Sequence, residues 1–348
     1  MATKELNSLI AKLNKKFGAN TLVTGGEIEV EVIQRIPTGS VALDIDLGGG
    51  IPIGRFTQIS GALSSTKTTQ CLHIVKNAQE MGLVCAIGDV EGTITKEYLE
   101  HLGVNTETLL YTRPNGLEEL TQMILDMQQS GEVHLYLWDS IEASSPIKEL
   151  DSTMDETVQM GVKQKLIAEF FRKYQAYNNK LVREGKKPFT LIGINQLREK
   201  IGAYGDAEYT PGGRAIGFTA SVDLRLRRGD WLTEGTATKK TFVGQVVKYK
   251  IEKNKTYKRM QSGEFDFYYD ENKLEIPVGH NDNFKSIVQM GIDRDLIVQG
   301  GAWFFLNKDT EHEVKFQGRD NLIAYLRENP GLVEDMKSII LDLDEKTL

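Results

Sequence analysis

The chain has 348 residues, 40% hydrophobic and 26% charged, the composition of a globular protein long enough to hold more than one domain. Its formal net charge of −7 counts against coating nucleic acid by bulk attraction, no apolar run reaches the roughly 18 residues of a membrane helix, and the opening MATKELNSLI has no signal-peptide core. The expected location is therefore cytoplasmic with no membrane partner; Cys71 and Cys85 read as buried thiols, and the five scattered histidines have no zinc-type spacing.

Leu6, Leu9, Ile10, Leu13 and Phe17 recur at helical spacing, with Lys12, Lys15 and Lys16 opposite and Gly18 as a stop. Alternating Ile28, Val30 and Val32 predict a strand. This helix and strand precede the main body and are free to pack on their own domain or on a neighbouring subunit. Residues 38–55, TGSVALDIDLGGGIPIGR, are rich in glycine, but Gly48, Gly49 and Gly50 do not lie between a strand end and a helix start, which argues against a dinucleotide fingerprint. Residues 55–60 read as a short strand, 61–66 as a tight polar loop, and Lys67 onward as a helix with Cys71, Leu72, Val75 and Ala78 on its apolar face. Strand, small-residue loop and helix make a phosphate cradle. Backbone N–H groups face the anion, Lys67 reaches the outer phosphates and Thr68 offers a hydroxyl to Mg²⁺. The pattern G-x-x-x-x-G-K-[ST] meets Thr66 where glycine belongs, and the alternative is an ordinary polar strand-to-helix turn.

Residues 83–89, 109–113 and 133–139 read as strands and 117–127 as a helix, an alternation that predicts an α/β fold with a mainly parallel sheet covered on both faces. Asp139 ends the apolar run VHLYLWDS, where a carboxylate holds Mg²⁺ beside the cradle threonine. Glu91, just past LVCAIGDV, is placed to orient and deprotonate a water attacking the γ-phosphate. Either acid alone could be a solvated strand terminus; two of them behind one cradle argue otherwise. A polar loop at 154–161 precedes a long helix reaching about Arg183, and a strand at 189–196 ends in Asn195-Gln196 before a loop rich in glycine. Gln196 is placed to sense the γ-phosphate and pass its state to that loop. Strands at 222–228, 242–253 and 265–269 finish the sheet, and from about residue 270 the pattern changes to a small unit with helices near 283–290, 319–327 and 332–341. Eight basic residues between Lys239 and Arg259 face the single acid Glu252, with Arg227 and Arg228 before them. This suits a polyanionic partner, a solvated charged face being the alternative.

These motifs, in this order, resemble the bacterial RecA family of DNA recombinases over nearly the whole chain. The resemblance rests on TGSVALDIDLGGGIPIGR, SSTKTT, Glu91, the WDS at 138–140, INQLREKIG at 194–202, PGGRAIGF at 211–218 and EKNK at 252–255. It implies a P-loop NTPase (RecA-like) α/β core over residues 35–269, a small N-terminal helix-strand polymerisation element over 1–34 and a small α+β C-terminal domain over 270–348. ATP and Mg²⁺ are the implied cofactors. Gly61, Ser64, Ser65, Thr66, Lys67, Thr68 and Thr69 would hold the phosphates, Tyr98 would stack on adenine, and Thr68 and Asp139 would hold the metal. Glu91, Lys67 and Gln196 would serve hydrolysis. Lys253 and Lys255 resemble a pair that reaches the γ-phosphate across a subunit interface. Residues 154–161 and 197–214, including Arg198, Gly212 and Gly213, look like two DNA-holding loops, with Tyr204 as a wedge between stretched base triplets. Lys165 and Arg172 look like backbone supports, and Arg228, Lys248 and Lys250 like a secondary site for incoming duplex. Phe218 would join the N-terminal element in polymerisation.

The implied function is an ATP-dependent filament on single-stranded DNA that pairs with homologous double-stranded DNA and exchanges strands in recombination and repair. Single-strand-binding protein and a repressor are further implied partners. Several residues depart from the family pattern: Thr66 for glycine, Ala62-Leu63 for Pro-Glu, Thr95 for a common Asp, and Asp223 where a base is frequent. The loop of Tyr204 is one residue short, and the last residues, LDLDEKTL, stand where the family commonly has a long acidic tail. These departures keep open a filament-forming DNA- and nucleotide-binding protein with weak or no ATP hydrolysis. A P-loop helicase or transport motor would not be expected to carry the 196–213 loop or the Lys-Asn-Lys at 253–255.

Overall fold

The computed structural model describes residues 4–25, 33–153, 161–199, 208–236 and 239–345. The expected strand of Ile28, Val30 and Val32, residues 154–160 of the first expected loop, and Tyr204 lie outside the described residues.

Helix α1 (Lys4–Phe17) carries the predicted apolar stripe, and none of its residues is buried. The glycine-rich stretch that follows holds strand β1 (Arg35–Ile36), helix α2 (Val41–Leu47) and strand β2 (Ile51–Pro52). Ser40 caps α2 by accepting from the Leu43 N–H, and Gly48 ends it in the left-handed region, so a short helix buried along its whole length forms within the glycine-rich stretch. Next come β3 (Phe56–Gly61), α3 (Lys67–Glu80), β4 (Cys85–Asp89), α4 (Lys96–His101), β5 (Leu110–Thr112), α5 (Leu117–Ser130) and β6 (Leu135–Asp139), in the predicted alternation. The short α6 (Ile147–Leu150) and long α7 (Val162–Arg183) lead to β7 (Thr190–Gln196). Beyond it, β8 (Arg198–Glu199) and β9 (Glu208–Tyr209) pair antiparallel, and α8 (Arg214–Thr219) follows. The ribbon of β10 (Val222–Thr236) and β11 (Lys239–Asn254) is longer than predicted and is joined by β12 (Ser262–Tyr268) and β13 (His280–Asn281).

These strands form one sheet in the order β13-β12-β11-β10-β3-β7-β6-β4-β5. Neighbours from β10 to β5 are parallel, and those from β10 to β13 antiparallel. Strand β6 explains why its sequence lacks polar alternation. Leu135 and Leu137 pack with the α2 and α3 layer, whereas Tyr136 and Trp138 pack with α5 and α7 on the other face. In register, Gly61 pairs with Gln196 and Asp89 with Asp139, so the carboxyl ends of four parallel strands share one edge. Open α/β sheets bind ligands at such an edge.

The C-terminal unit contains α9 (Asn283–Asp293), α10 (Arg319–Glu328), α11 (Pro330–Glu345) and a three-stranded antiparallel sheet of β14 (Ile297–Gly300), β15 (Trp303–Leu306) and β16 (Val314–Gln317). Helix α2 is its seat: Val41 and Ile45 pack against Ile287, Leu322 and Met336. Lys337 Nζ donates to Asp44 Oδ2 at 2.8 Å. Burial pushes the Asp44 carboxyl up and Lys337 opposes it, so losing the lysine would leave a buried acid without its counter-charge.

Candidate nucleotide site and DNA-facing surface

The loop after β3 is built on a close backbone approach. A Cβ on Gly61 would lie 2.3 Å from the Leu226 carbonyl oxygen and 2.5 Å from Ser65 Oγ. Ser65 Oγ donates to the Ala62 carbonyl at 2.8 Å, and Gln245 on β11 donates to the Ser64 carbonyl at 3.0 Å. Thr66 stands at the start of α3 with φ 62° and ψ 16°, the left-handed conformation that glycine adopts freely. A β-branched residue there costs about 1–3 kcal/mol. Its hydroxyl donates to the Ser65 carbonyl at 2.7 Å and gives the helix no side-chain cap. The chain thus keeps the glycine geometry without the glycine. Lys67 Nζ donates to the Ala62 carbonyl at 2.8 Å; burial pulls its pKa down, against the pull of Asp139 and Glu91.

Thr68 Oγ1 donates to Asp139 Oδ2 at 2.9 Å, so the two expected metal ligands meet. Burial is the main cause that pushes the Asp139 carboxyl up to about 6; Glu91 and Asp89 add repulsion, while Thr68 and Lys67 oppose it. A hydroxyl and a carboxylate are hard oxygen donors that suit Mg²⁺, which binds through one or two carboxylates plus substrate phosphates and retained waters. A divalent cation would also offset the crowded acids. Among the described residues no group of three or more His, Cys, Asp or Glu forms an all-protein metal cage, as that mode of binding requires none.

Glu91 Oε1 accepts from Ser140 Oγ at 2.6 Å and from Gln196 Nε2 at 3.1 Å. The expected catalytic acid and the expected sensor are therefore in direct contact. Ser140 was not singled out from the sequence, nor was Asp89. The buried Asp89 carboxylate accepts from the Gly92 N–H at 2.8 Å, the Ile94 N–H at 3.0 Å and the Tyr111 hydroxyl at 2.6 Å. It thereby shapes the turn that presents Glu91. The available signal was position: both residues lie at the strand ends that carry Glu91 and Asp139. Tyr98 meets the cradle helix through a 2.6 Å contact with Thr69 Oγ1. Thr95 caps α4 by accepting from the Tyr98 N–H at 3.2 Å, a role that Thr fills as Asp would.

Beyond Gln196 the Leu197 N–H donates to the Gly61 carbonyl at 3.3 Å, and Asn195 Nδ2 donates to the Pro211 carbonyl at 2.9 Å. The far end of the loop is therefore tied to the strand that holds Gln196. Gly212 has φ 99°, and a Cβ there would lie 2.4 Å from Ile216 Cδ1. Gly213 lies against Gln164 at the start of α7, the helix on which Lys165 and Arg172 are exposed. Arg198 pairs with Glu142. Lys248 and Lys250 are exposed on β11, with Arg227 in register with Lys248 on their face of the ribbon. Arg228, expected beside those lysines, pairs in register with Val247 and so lies on the opposite face, its guanidinium 4.7 Å from the Trp231 ring centre.

Lys253 and Lys255 do not reach this chain's own cradle. In register Lys253 lies opposite Asp223, which lies opposite Gln58, three residues and about 10 Å along the strand from Gly61. Lys253 Nζ donates to the Gly217 carbonyl at 2.6 Å and Lys255 Nζ to the Phe218 carbonyl at 3.3 Å, beside a Phe218 side chain 73% exposed. Asp223 accepts from Gln58 Nε2 at 3.0 Å, and burial pushes its carboxyl up.

Comparison with known proteins agrees with this geometry. Residues 4–273 match the RecA N-terminal domain family and residues 285–343 the RecA C-terminal domain family. The chain is 35% identical over 340 residues to Protein RecA of Cutibacterium acnes, covering 97% of this chain and 91% of that one. It is similar in the same way to Protein RecA of Frankia casuarinae, at 35% over 339 residues, and of Campylobacter jejuni subsp. doylei, at 36% over 340 residues, each covering 97% of this chain and 92% of the relative. No helix among the described residues is long and apolar enough to cross a membrane.

Proposed function

The chain belongs to the RecA family, and we propose that it is a cytoplasmic recombinase that forms a helical filament on single-stranded DNA with ATP and Mg²⁺, pairs that strand with homologous duplex and exchanges the two. Residues 1–34 are read as its polymerisation element, 35–269 as its ATPase and DNA-binding core, and 270–348 as its C-terminal domain. The observation that carries the reading is the distance between Lys253 and this chain's own cradle, together with its place beside the exposed Phe218. A cation so placed serves a phosphate only on another copy, and a head-to-tail contact that does not close on itself builds a helix.

In this reading Lys67 leaves the Ala62 carbonyl for the phosphates, and Thr68 and Asp139 hold the cation. Mg²⁺ held there would neutralise phosphate charge. Glu91, released from Ser140 and Gln196, takes the proton of the attacking water. Gln196 carries the state of the site to the loop through Asn195 and Pro211. DNA is held by Lys165, Arg172, Arg198 and the glycine turn at 212–213, with Lys248 and Lys250, joined by Arg227, for the second duplex.

Thr66 favours a second reading, a filament that binds nucleotide but hydrolyses it slowly, because its left-handed backbone is strained beside the γ-phosphate position. Strand exchange run with ATP and with a non-hydrolysable analogue, alongside hydrolysis stimulated by single-stranded DNA, tests both. The first reading expects exchange with DNA-stimulated turnover, and the second expects assembly without it. Closed rings, or no assembly with nucleotide and DNA, would overturn both.

A further inference from the structure

Glu142 and Arg198 form an ion pair between the segment after β6 and the strand after β7, and its place relative to the nucleotide site suggests a role. Two residues before Glu142 stands Ser140, and two residues before Arg198 stands Gln196. Those two side chains grip Glu91 Oε1 at 2.6 and 3.1 Å. The same two segments therefore meet in two adjacent rungs, Ser140 and Gln196 on the catalytic acid, and Glu142 with Arg198 nearer the DNA loops. Glu142 is only 14% exposed, whereas Arg198 is 61% exposed and open to an incoming phosphate. Lys163 lies beside the same acid, its Nζ donating to the Glu142 backbone carbonyl at 2.6 Å.

We propose that Glu142 is a positioning residue that holds Arg198 in place of a DNA phosphate, and that release of this pair by DNA loosens the Gln196 and Ser140 grip on Glu91. The pair is thus the latch between DNA occupancy and hydrolysis; this rests on the recombinase reading above. Arg198 cannot serve the carboxylate and a backbone phosphate in one bidentate geometry. A phosphate that takes the whole guanidinium fork therefore displaces Glu142, and Lys163 remains beside Glu142 to compensate its charge. Linkage makes the effect reciprocal: whatever opens the latch favours both DNA binding and a free Glu91.

The test is ATP hydrolysis by the full chain, without DNA and across a single-stranded DNA titration. Glu142→Gln is expected to raise the DNA-free rate about fivefold, the low end of usual coupling between sites, and to lower the half-stimulating DNA concentration by a similar factor. Glu142→Asp should retain DNA dependence, and Glu149→Gln, which removes an acid of the same region, should leave both quantities unchanged. Arg198→Ala should also raise the DNA-free rate but weaken DNA binding, and adding Glu142→Gln to it should raise that rate no further. An unchanged DNA-free rate in both Glu142→Gln and Arg198→Ala, an equal rise in Glu149→Gln, or additive effects in the double variant would overturn the proposal. If the unmodified chain is not stimulated by DNA, the recombinase reading falls and this proposal with it. A stimulated parent with an unresponsive Glu142→Gln removes the latch alone.

Discussion

At the carboxyl end of β3 the polar groups hold one another: Thr68 with Asp139, Ser140 and Gln196 with Glu91, Lys67 with a loop carbonyl. At the opposite end of the same strands, Lys253 and Lys255 rest on carbonyls of α8 beside an exposed Phe218, and α1 presents an apolar stripe with none of its residues buried. The first region is internally organised, its polar groups partnered within this chain. The second places two cations, with Asp223 alongside Lys253, and exposed large apolar side chains away from this chain's own cradle, which is how a surface completed by another molecule looks. One sheet therefore carries the cradle at one end and, at the other, two lysines that in the proposed reading serve the cradle of a neighbouring copy.

The largest expected effect separates chemistry from assembly. Glu91→Gln should lower hydrolysis by about 10²–10⁴-fold, the usual contribution of a general base, while filaments on single-stranded DNA still form. Single-turnover rates and electron microscopy decide it, and loss of filaments would show that the two ends are not separable. Thr66→Gly should raise hydrolysis roughly tenfold and nucleotide affinity less, because relief of about 1–3 kcal/mol of backbone strain matters most where the γ-phosphate must align with the water. Equal rates would mean the threonine is accommodated without penalty, and a gain confined to affinity would place the defect in binding.

The smallest effect is on pH. The folded pKa of Asp139 is raised to about 6, so its ionisation opposes folding, and stability of the metal-free chain contributed by this group falls as pH rises from about 4 to about 6. Mg²⁺ needs the ionised form. Mg-ATP should therefore raise the melting temperature more at neutral pH than at about pH 5, and calorimetry at both checks it. A pH-independent increment would remove Asp139 from the metal site.

Much of the cradle was legible because its signals are local. A strand, a polar loop and a helix opening at Lys67-Thr68 lie within one short stretch, and Asp139 follows an apolar run whose burial on both faces admits no other element. Helix α2 was hidden because it is short and its buried residues answer to the C-terminal unit far along the chain. The face of Arg228 was unreadable for a different reason. Side chains alternate along a ribbon, so which arginine joins Lys248 depends on cross-strand register, and this ribbon has irregularities after Asp223 and Arg228. Ser140 meets Glu91, Glu142 meets Arg198 and Asp89 meets Tyr111, each a partner distant in the chain, a relation that no single segment displays.

The most direct test of a shared site is complementation between two defective chains. Lys67→Ala destroys the cradle and keeps Lys253; Lys253→Ala keeps the cradle and loses the donor. Each alone should hydrolyse ATP poorly with single-stranded DNA. Mixed in equal amounts they should recover roughly a quarter of the parent rate, the chance that a head-to-tail contact joins an intact donor to an intact cradle. A mixture no faster than the two variants measured separately would contradict a nucleotide site completed by the neighbouring copy.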